Sequence, residues 1–183
     1  MAAPARAWAA DLLHLWFRRL RPRDWFGGSP AVDALLRRRF ERTLAALWPC
    51  QADDFLDNPA TALASVVLFD QIPRNLFGSG AQAFAYDPLA RAITHAAIAR
   101  GWDRGLSAAQ RQFLYMPLMH SEAIADQRLS LRLFADLPRH GWAYARSHHA
   151  MIARFGRFPH RNAALGRTST AAERRAIEAG FSW

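Results

Sequence analysis

The sequence has no lysine and a single cysteine, Cys50, among its 183 residues. One cysteine cannot form an intrachain disulfide, and it excludes a zinc site built from several cysteines. A glycine-rich phosphate loop of the Gly-Lys-Ser/Thr type needs a lysine, so that class of nucleotide site is excluded as well. Neither a Gly-x-Ser-x-Gly elbow nor a Gly-x-Gly-x-x-Gly fingerprint occurs. The fold must therefore depend on packing, and any chemistry must use other residues.

Long apolar runs are also missing from the sequence. The longest run, 62–69, contains Ser65 and is far shorter than the roughly 20 residues of a membrane span. The Ala- and Arg-rich N-terminus is interrupted by Asp11, and no secretory apolar segment with a cleavage site follows it. These features predict a cytoplasmic protein that does not enter a membrane.

Every basic residue is an arginine, and the formal net charge is +9. Arginine is permanently charged and can grip an anion with two parallel hydrogen bonds. An N-terminal group of arginines could contact phosphates: Arg18, Arg19, Arg21, Arg23, Arg37, Arg38, Arg39 and Arg42. Acidic residues dilute this group and no nucleic-acid motif accompanies it. We therefore expect a solvated face here, with nucleic-acid binding as an alternative.

Apolar residues recur at helical spacing through nearly the whole chain, and no alternating strand pattern occurs. Proline and capping signals at the breaks predict where helices begin, and glycine or proline predicts where they end. The predicted helices are 4–20, 30–48, 60–71, 88–100, 108–117, 121–137, 141–155 and 171–179, with Gly27-Gly28 in the first break. The segment 60–71 is apolar nearly all round, so we expect it to be central. The sequence predicts one all-α domain over residues 1–183, with about eight or nine helices in antiparallel hairpins.

Two segments that follow long apolar helices share the order apolar residue, proline, arginine, asparagine. They are Ile72-Pro73-Arg74-Asn75 and Phe158-Pro159-His160-Arg161-Asn162. Proline at a helix break fixes the backbone, so the side chains after it leave in a set direction. Arginine offers a planar donor fork to a carboxylate or phosphate. We predict that Arg74, Asn75, Arg161 and Asn162 bind a small anionic ligand.

The alternative interpretation of these two segments is structural. Both arginines could pair with Asp70 or Asp126, because a buried cation needs a carboxylate partner. Both asparagines could cap helices, which is a common use of asparagine after a break.

A second group of polar residues follows the apolar segment that ends at Met119. Glu122 and Asp126 are four residues apart and would share a helix face, with His120 at the preceding break. The order His-x-Glu resembles part of a two-His, one-carboxylate metal site, but no second histidine stands at helical spacing from His120, so we assign no metal. We predict that His120 and Glu122, together with His160, supply acid–base chemistry, and that Asp126 helps to bind the ligand. The alternative is a hydrogen-bonded structural histidine.

His148 and His149 are adjacent, so one of them must lie on the apolar helix face that carries Ala145 and Ile152. A buried histidine normally has a hydrogen-bond partner, which favours a structural role. In the alternative, that histidine joins His120 or His160 at the wall of a pocket.

Five ordered motifs resemble a widespread family, the domain-of-unknown-function family numbered 924. They are Leu-Phe-Asp-Gln-Ile-Pro-Arg-Asn at 68–75, Ala-Phe-Ala-Tyr-Asp-Pro-Leu-Ala at 83–90, Phe-Leu-Tyr-Met-Pro-Leu-Met-His-Ser-Glu at 113–122, Ala-Asp-Gln at 125–127 and Arg-Phe-Gly-Arg-Phe-Pro-His-Arg-Asn at 154–162. The resemblance spans roughly residues 24–183, including Trp25-Phe26-Gly27 and Phe181-Ser182-Trp183. It implies a tetratricopeptide-like helical fold and carries no activity with it. Ala123 and Ile124 stand where the family pattern has an acidic residue and leucine.

Two classes of function fit these observations, and the sequence does not decide whether the protein is an enzyme. The first is a helical domain that binds a small anionic ligand at helix breaks, with acid–base groups beside it. The second is a non-enzymatic tetratricopeptide-like scaffold that binds a protein partner or forms a homodimer through a helical groove. No cofactor is identified by either.

Overall fold

The computed structural model describes residues 6–26 and 29–181, and within these ranges the chain forms nine continuous helices and no strand. Their bounds are α1, Ala7–His14 continued by a π-helical turn Leu15–Arg19; α2, Pro22–Phe26; α3, Pro30–Leu47; α4, Pro59–Val66 continued by a π-helical turn Val67–Gln71 and by Ile72–Phe77; α5, Asp87–Ala99; α6, Ala108–Met119; α7, Ile124–Ala135; α8, Arg139–Phe155; and α9, Ala171–Glu178. Short 3₁₀ turns lie at Ala52–Phe55, Ala81–Ala83, Trp102–Gly105 and Pro159–Arg161. The predicted helix start at residue 4, the Gly27-Gly28 break and Ser182-Trp183 lie outside the described residues.

Several helix ends follow the capping signals of the sequence. Asn58 accepts a hydrogen bond from the backbone N–H of Thr61 at 2.8 Å and so caps α4. Reciprocal capping boxes begin α6 at Ser107 and α9 at Thr170, as their spacing predicts. Gly101 follows α5 with a left-handed φ of 68°, a conformation that glycine adopts without steric cost.

The predicted end of the helix that forms α4 is wrong. The sequence places it at Gln71, whereas α4 continues through Pro73 to Phe77. In a regular α-helix the ring of Pro73 would clash with the carbonyl group of Phe69, and the wider π-helical turn before Pro73 accommodates the ring without ending the helix. Arg74 and Asn75 therefore project from inside a helix, and only the second of the two Pro-Arg-Asn segments, at 159–162, lies in a turn.

The core is built around α4, which is central as expected. All residues of α4 from Thr61 to Pro73 are buried, and α4 packs against α1, α3, α5 and α6. Aromatic rings fill much of the interior, for example Trp16 and Phe113, which meet edge to face with centroids 5.4 Å apart. A second, smaller cluster of Met151, Ile152, Phe158 and Ala176 joins α8 to α9.

Helices α6, α7 and α8 pack in sequence as antiparallel neighbours, the arrangement expected of a tetratricopeptide-like fold. Because α7 reverses the chain between them, α6 and α8 run in the same direction. Gln112 near the start of α6 lies beside Gly141 of α8, and His120 at the end of α6 lies beside His148. No helix among the described residues combines the length and the apolar character that crossing a bilayer requires.

Candidate functional site

A cavity of about 530 Å³ lies where the C-terminal part of α4 meets α6 and α8. This volume is within the range of roughly 300–1,000 Å³ that small-molecule sites usually have. Along both long helices, the side chains that line the cavity differ in chemistry between its two ends. On α8 the lining runs from Gly141 to His148, and on α6 from Gln112 to His120. Seven residues of helix span about 10 Å, so the cavity has two ends of different chemistry about that far apart.

One end, which we call the basic end, is lined by five nitrogen-bearing side chains: Arg74, His120, His148, His160 and Arg161. They come from α4, from the last residues of α6, from α8 and from the 3₁₀ turn Pro159–Arg161. The rings of His120 and His148 have centroids 6.0 Å apart. The basic end thus gathers residues that are widely separated in the sequence.

The other end, which we call the apolar end, is lined by Trp25, Phe26, Met116, Phe134 and Tyr144. Trp25 packs edge to face on the ring of Phe113, with centroids 5.0 Å apart, and Phe26 stacks on the same ring at 5.9 Å. Phe134 lies against Gly141, where an added Cβ would approach its ring to 3.0 Å. Glycine at this position therefore keeps space for the ring.

The two arginines of the basic end share one carboxylate, that of Asp87. Arg74 grips it with two hydrogen bonds, of 2.9 and 3.0 Å, and Arg161 donates one through Nη1 at 3.2 Å. Both guanidinium groups also lie over the ring of Phe84, with Cζ 5.8 and 4.6 Å from its centroid. Asp87 begins α5, so the Asp-Pro pair that starts this helix also positions both cations.

Arg161 is incompletely paired for a buried cation. Its side chain is only 8% exposed, and Asp87 is its one carboxylate partner among the described residues. Its buried Nε has no hydrogen-bond partner within the described part of the chain. Burial lowers the pKa of Arg161 to about 10, although the nearby Asp87 opposes this effect. The guanidinium group therefore remains charged at neutral pH, and it lines the cavity with a single hydrogen bond to a carboxylate among the described residues.

His120 forms a buried pair with Asp70 of the π-helical turn in α4. His120 Nδ1 and Asp70 Oδ1 are 2.7 Å apart, and Gln71 and Arg74 also contact this carboxyl group. Burial alone would raise the pKa of Asp70, but attraction to His120 and Arg74 and the hydrogen bonds lower it to about 2. Burial, reinforced by the charge of Arg74, lowers the pKa of His120 despite the opposing carboxylates. At neutral pH we assign a carboxylate that accepts the Nδ1–H of a neutral imidazole, which leaves Nε2 as a proton acceptor.

The other two histidines of the basic end are also held neutral. Burial lowers the pKa of His148 to about 3, together with repulsion from Arg161 and, once it is protonated, from His120. Burial and the charge of Arg161 lower the pKa of His160 to about 4. His148 Nδ1 donates to the carbonyl oxygen of Tyr144 at 2.9 Å, so this histidine of the 148–149 pair is the buried one.

The structure brings five of the eight predicted site residues to this cavity: Arg74, Asn75, His120, His160 and Arg161. Asn75 donates through Nδ2 to Asp33 of α3 at 2.8 Å, so it joins α4 to α3 and caps no helix. Neither arginine pairs with Asp126; the carboxylates that contact Arg74 are Asp70 and Asp87.

Glu122 lies beside a second cavity of about 400 Å³, which His120 and Arg161 also line. It accepts two hydrogen bonds from Arg167, at 2.8 and 2.9 Å, and one from the backbone N–H of Phe158 at 2.8 Å. Burial alone would raise the pKa of Glu122, but these donors lower it. Glu122 is therefore engaged in holding the segment that carries Arg161.

Asp126 and Asn162 line neither cavity. Asp126 accepts a hydrogen bond from Ser121 at 2.7 Å and lies 2.8 Å from Nε2 of His95. Asn162 is buried and donates to Ser169 at 3.0 Å. Within the described ranges, no three His, Cys, Asp or Glu side chains come together in a way that could hold a metal ion.

Sequence reasoning missed three contributors to the site. Asp87 and Phe84 stand in the sequence only as members of the family motif at 83–90, with no local signal that links them to arginine. Asp70 was considered as a partner for arginine and not for His120, which is 50 residues away. The pair Asp70–His120 could not be found by local spacing, because it depends on how α4 packs against α6.

The fold and the cavity together define an all-α protein with an amphipathic cavity between α4, α6 and α8. A family model described as a bacterial protein of unknown function, DUF924, matches residues 12–180, and the chain belongs to this family. It is also similar to a solved structure titled a protein of unknown function, ATU0120, from Agrobacterium tumefaciens. The identity is 38%, the match covers 95% of this chain and 98% of the other, and the TM-score is 0.90. A comparison with curated proteins gave no match.

Proposed function

We propose that the cavity binds a small anionic ligand at its basic end, between Arg161 and Arg74. The observation that carries this proposal is the incomplete pairing of Arg161. Burying a charge is costly unless it is paired and hydrogen-bonded, and this guanidinium group has one carboxylate acceptor, Asp87, among the described residues. A bound anion would give the guanidinium group, which lines the cavity, a second acceptor.

The three neutral histidines support an anion over a neutral ligand. Their pKa values are lowered by burial and, in part, by the charges of the arginines. An anion beside Arg161 would offset that positive charge and favour uptake of a proton by His160 or His120. Binding would therefore be accompanied by proton uptake, which keeps the buried site close to electrically neutral.

His120 is the residue that we propose to exchange a proton with the ligand. Asp70 fixes the orientation of its ring, as the carboxylate partner does in other histidine-based acid–base sites. In this proposal Arg74 and Arg161 bind, and His120 and His160 carry protons. Asn75, Glu122, Asp126 and Asn162 hold the surrounding segments through the hydrogen bonds described above.

Isothermal titration calorimetry with methanesulfonate, which stays an anion across the whole pH range, tests the binding site. We expect binding to the wild-type protein and a loss of at least about tenfold in affinity for Arg161→Met, because a charge-assisted hydrogen bond contributes roughly 1.5–3 kcal/mol. Arg128→Met is the matched control, since Arg128 is exposed on α7. Equal affinity of all three proteins would contradict the proposal.

Nitrogen-15 spectra of the histidine rings test the proton-exchange role separately. At pH 7 we expect His120 to be neutral, with Nδ1 protonated and Nε2 unprotonated. An imidazolium at this position, or a proton on Nε2 instead of Nδ1, would exclude His120 as a proton acceptor from the ligand.

A further inference from the structure

We infer that the ligand of this cavity is amphipathic: an anionic group at the basic end and an apolar body of about 10 Å directed toward Phe134 and Tyr144. This inference rests on the proposed anion site and adds the chemical class of the ligand. It concerns the part of the cavity that the anion itself would not occupy.

The geometry of the two parallel helices carries this inference. On α8, Gly141 and Tyr144 line the apolar end, and His148, at the basic end, stands two turns after Gly141 and one turn after Tyr144. On α6, Met116 stands one turn before His120. A ligand whose charged group contacts the basic end and which also has a longer body can therefore extend along both helices past apolar side chains.

Among the described residues, the apolar end has no arginine to pair with a second anionic centre. Its lining side chains are aromatic or thioether groups, with Gln112 and His140 as the polar members among the described residues. Gly141 allows the ring of Phe134 to lie close against α8. Such a surface gains free energy from the removal of apolar ligand atoms from water and gains nothing from binding a second charge.

The arrangement at the mouth of the cavity is consistent with an apolar ligand body. Phe26 and Tyr144 line the cavity and remain 53% and 43% exposed. Large aromatic side chains left in solvent at the rim of a concave site are typical of surfaces that a ligand covers. Burying them against an apolar chain would remove this exposure.

The test is a series of linear alkanesulfonates from methane- to hexanesulfonate, measured by calorimetry with the full-length protein. Every member carries the same charge, so any change in affinity reports on the chain. We expect the dissociation constant to fall about two- to fourfold with each added methylene, since a fully buried methylene contributes a factor of about four. The neutral hexan-1-ol should bind far more weakly than hexanesulfonate.

Tyr144→Ser provides the decisive variant. It should reduce the affinity for hexanesulfonate several-fold and leave that for methanesulfonate unchanged, because only the longer chain reaches the apolar end. Trp142→Ser is the matched control, since Trp142 is an exposed aromatic residue on the same helix that does not line the cavity.

The outcomes separate the two proposals. If no sulfonate binds, or if binding does not depend on Arg161, the proposed anion site fails. If methanesulfonate and hexanesulfonate bind with equal affinity, or if Trp142→Ser has the same effect as Tyr144→Ser, the anion site stands and the amphipathic ligand is refuted.

Discussion

Replacing His148 by phenylalanine should make the protein less stable than the wild type at neutral pH. At acidic pH the same variant should be more stable than the wild type. His148 is buried at the basic end, and its ring packs edge to face on Phe158 with centroids 5.4 Å apart. Phenylalanine has a similar shape and suits these apolar neighbours. It cannot, however, donate to the carbonyl oxygen of Tyr144, and it cannot take up a proton.

The sizes of these two effects follow from the structure. At pH 7 the variant loses one hydrogen bond, which contributes about 1 kcal/mol to the free energy of unfolding. In the wild-type protein the pKa of His148 is lowered from 6.5 to about 3. A lowered pKa means that the unfolded chain binds the proton more readily, so the stabilisation by neutral His148 is full above pH 6.5 and is lost progressively toward pH 3. At pH 4 this loss amounts to about 3 kcal/mol, which the phenylalanine variant does not suffer.

Urea denaturation followed by tryptophan fluorescence at pH 7, 6, 5 and 4 measures the difference. We expect the wild-type protein to be more stable at pH 7 and the variant to be more stable at pH 4, with the two curves crossing between them. His149→Phe, at the adjacent position of α8, controls for the exchange of an imidazole for a phenyl ring. A difference between wild type and His148→Phe that does not vary with pH would refute a buried, neutral His148.

Three further substitutions test the structure around the cavity. Asp87→Asn should lower the free energy of unfolding by about 2 kcal/mol. This loss is smaller than for a fully buried ion pair, because the side chain of Asp87 is 18% exposed. In thermal melts, added sulfate should stabilise this variant more than the wild type. Gly141→Ala should destabilise by about 1 kcal/mol, because overlap of the new methyl group with Phe134 outweighs the gain in helix propensity; an increase in melting temperature would contradict that overlap. Glu122→Gln should lower stability by about 1–2 kcal/mol and speed tryptic cleavage after Arg157, since Arg167 and the backbone N–H of Phe158 lose their carboxylate partner; an unchanged cleavage rate would contradict the role of Glu122.

Much of the fold could be predicted from the sequence, because helix starts are local. Asn58, Ser107 and Thr170 cap helices through contacts within three residues, so short sequence patterns contain the whole interaction. The end of α4 could not be predicted in the same way. A proline normally ends or kinks a helix, and here the chain passes Pro73 by means of a π-helical turn whose side chains are buried against α6.

The sequence indicated which residue types could form the candidate site, but not which of them contact one another. Arg161, His120 and His160, which the sequence pattern indicated as arginine and histidine at helix breaks, line one cavity. Their role in a functional site stays a prediction. Their partners could not be predicted, because Asp70 and Asp87 reach them only through the packing of α4, α5 and α6. Glu122 is two residues from His120 in the sequence, yet it lines the smaller cavity and not the larger one. Closeness in the sequence therefore did not predict its position.

The most direct test of the central claim is a pH titration of the histidine rings by nitrogen-15 NMR, with and without saturating hexanesulfonate. Without the ligand, His160 should titrate near pH 4. With it, the negative charge beside Arg161 should raise the pKa of His160, and binding should strengthen as the pH falls toward that value because the complex holds more protons. If hexanesulfonate binds and the titration of His160 does not change, the anion lies elsewhere on the protein and the account of this cavity is wrong.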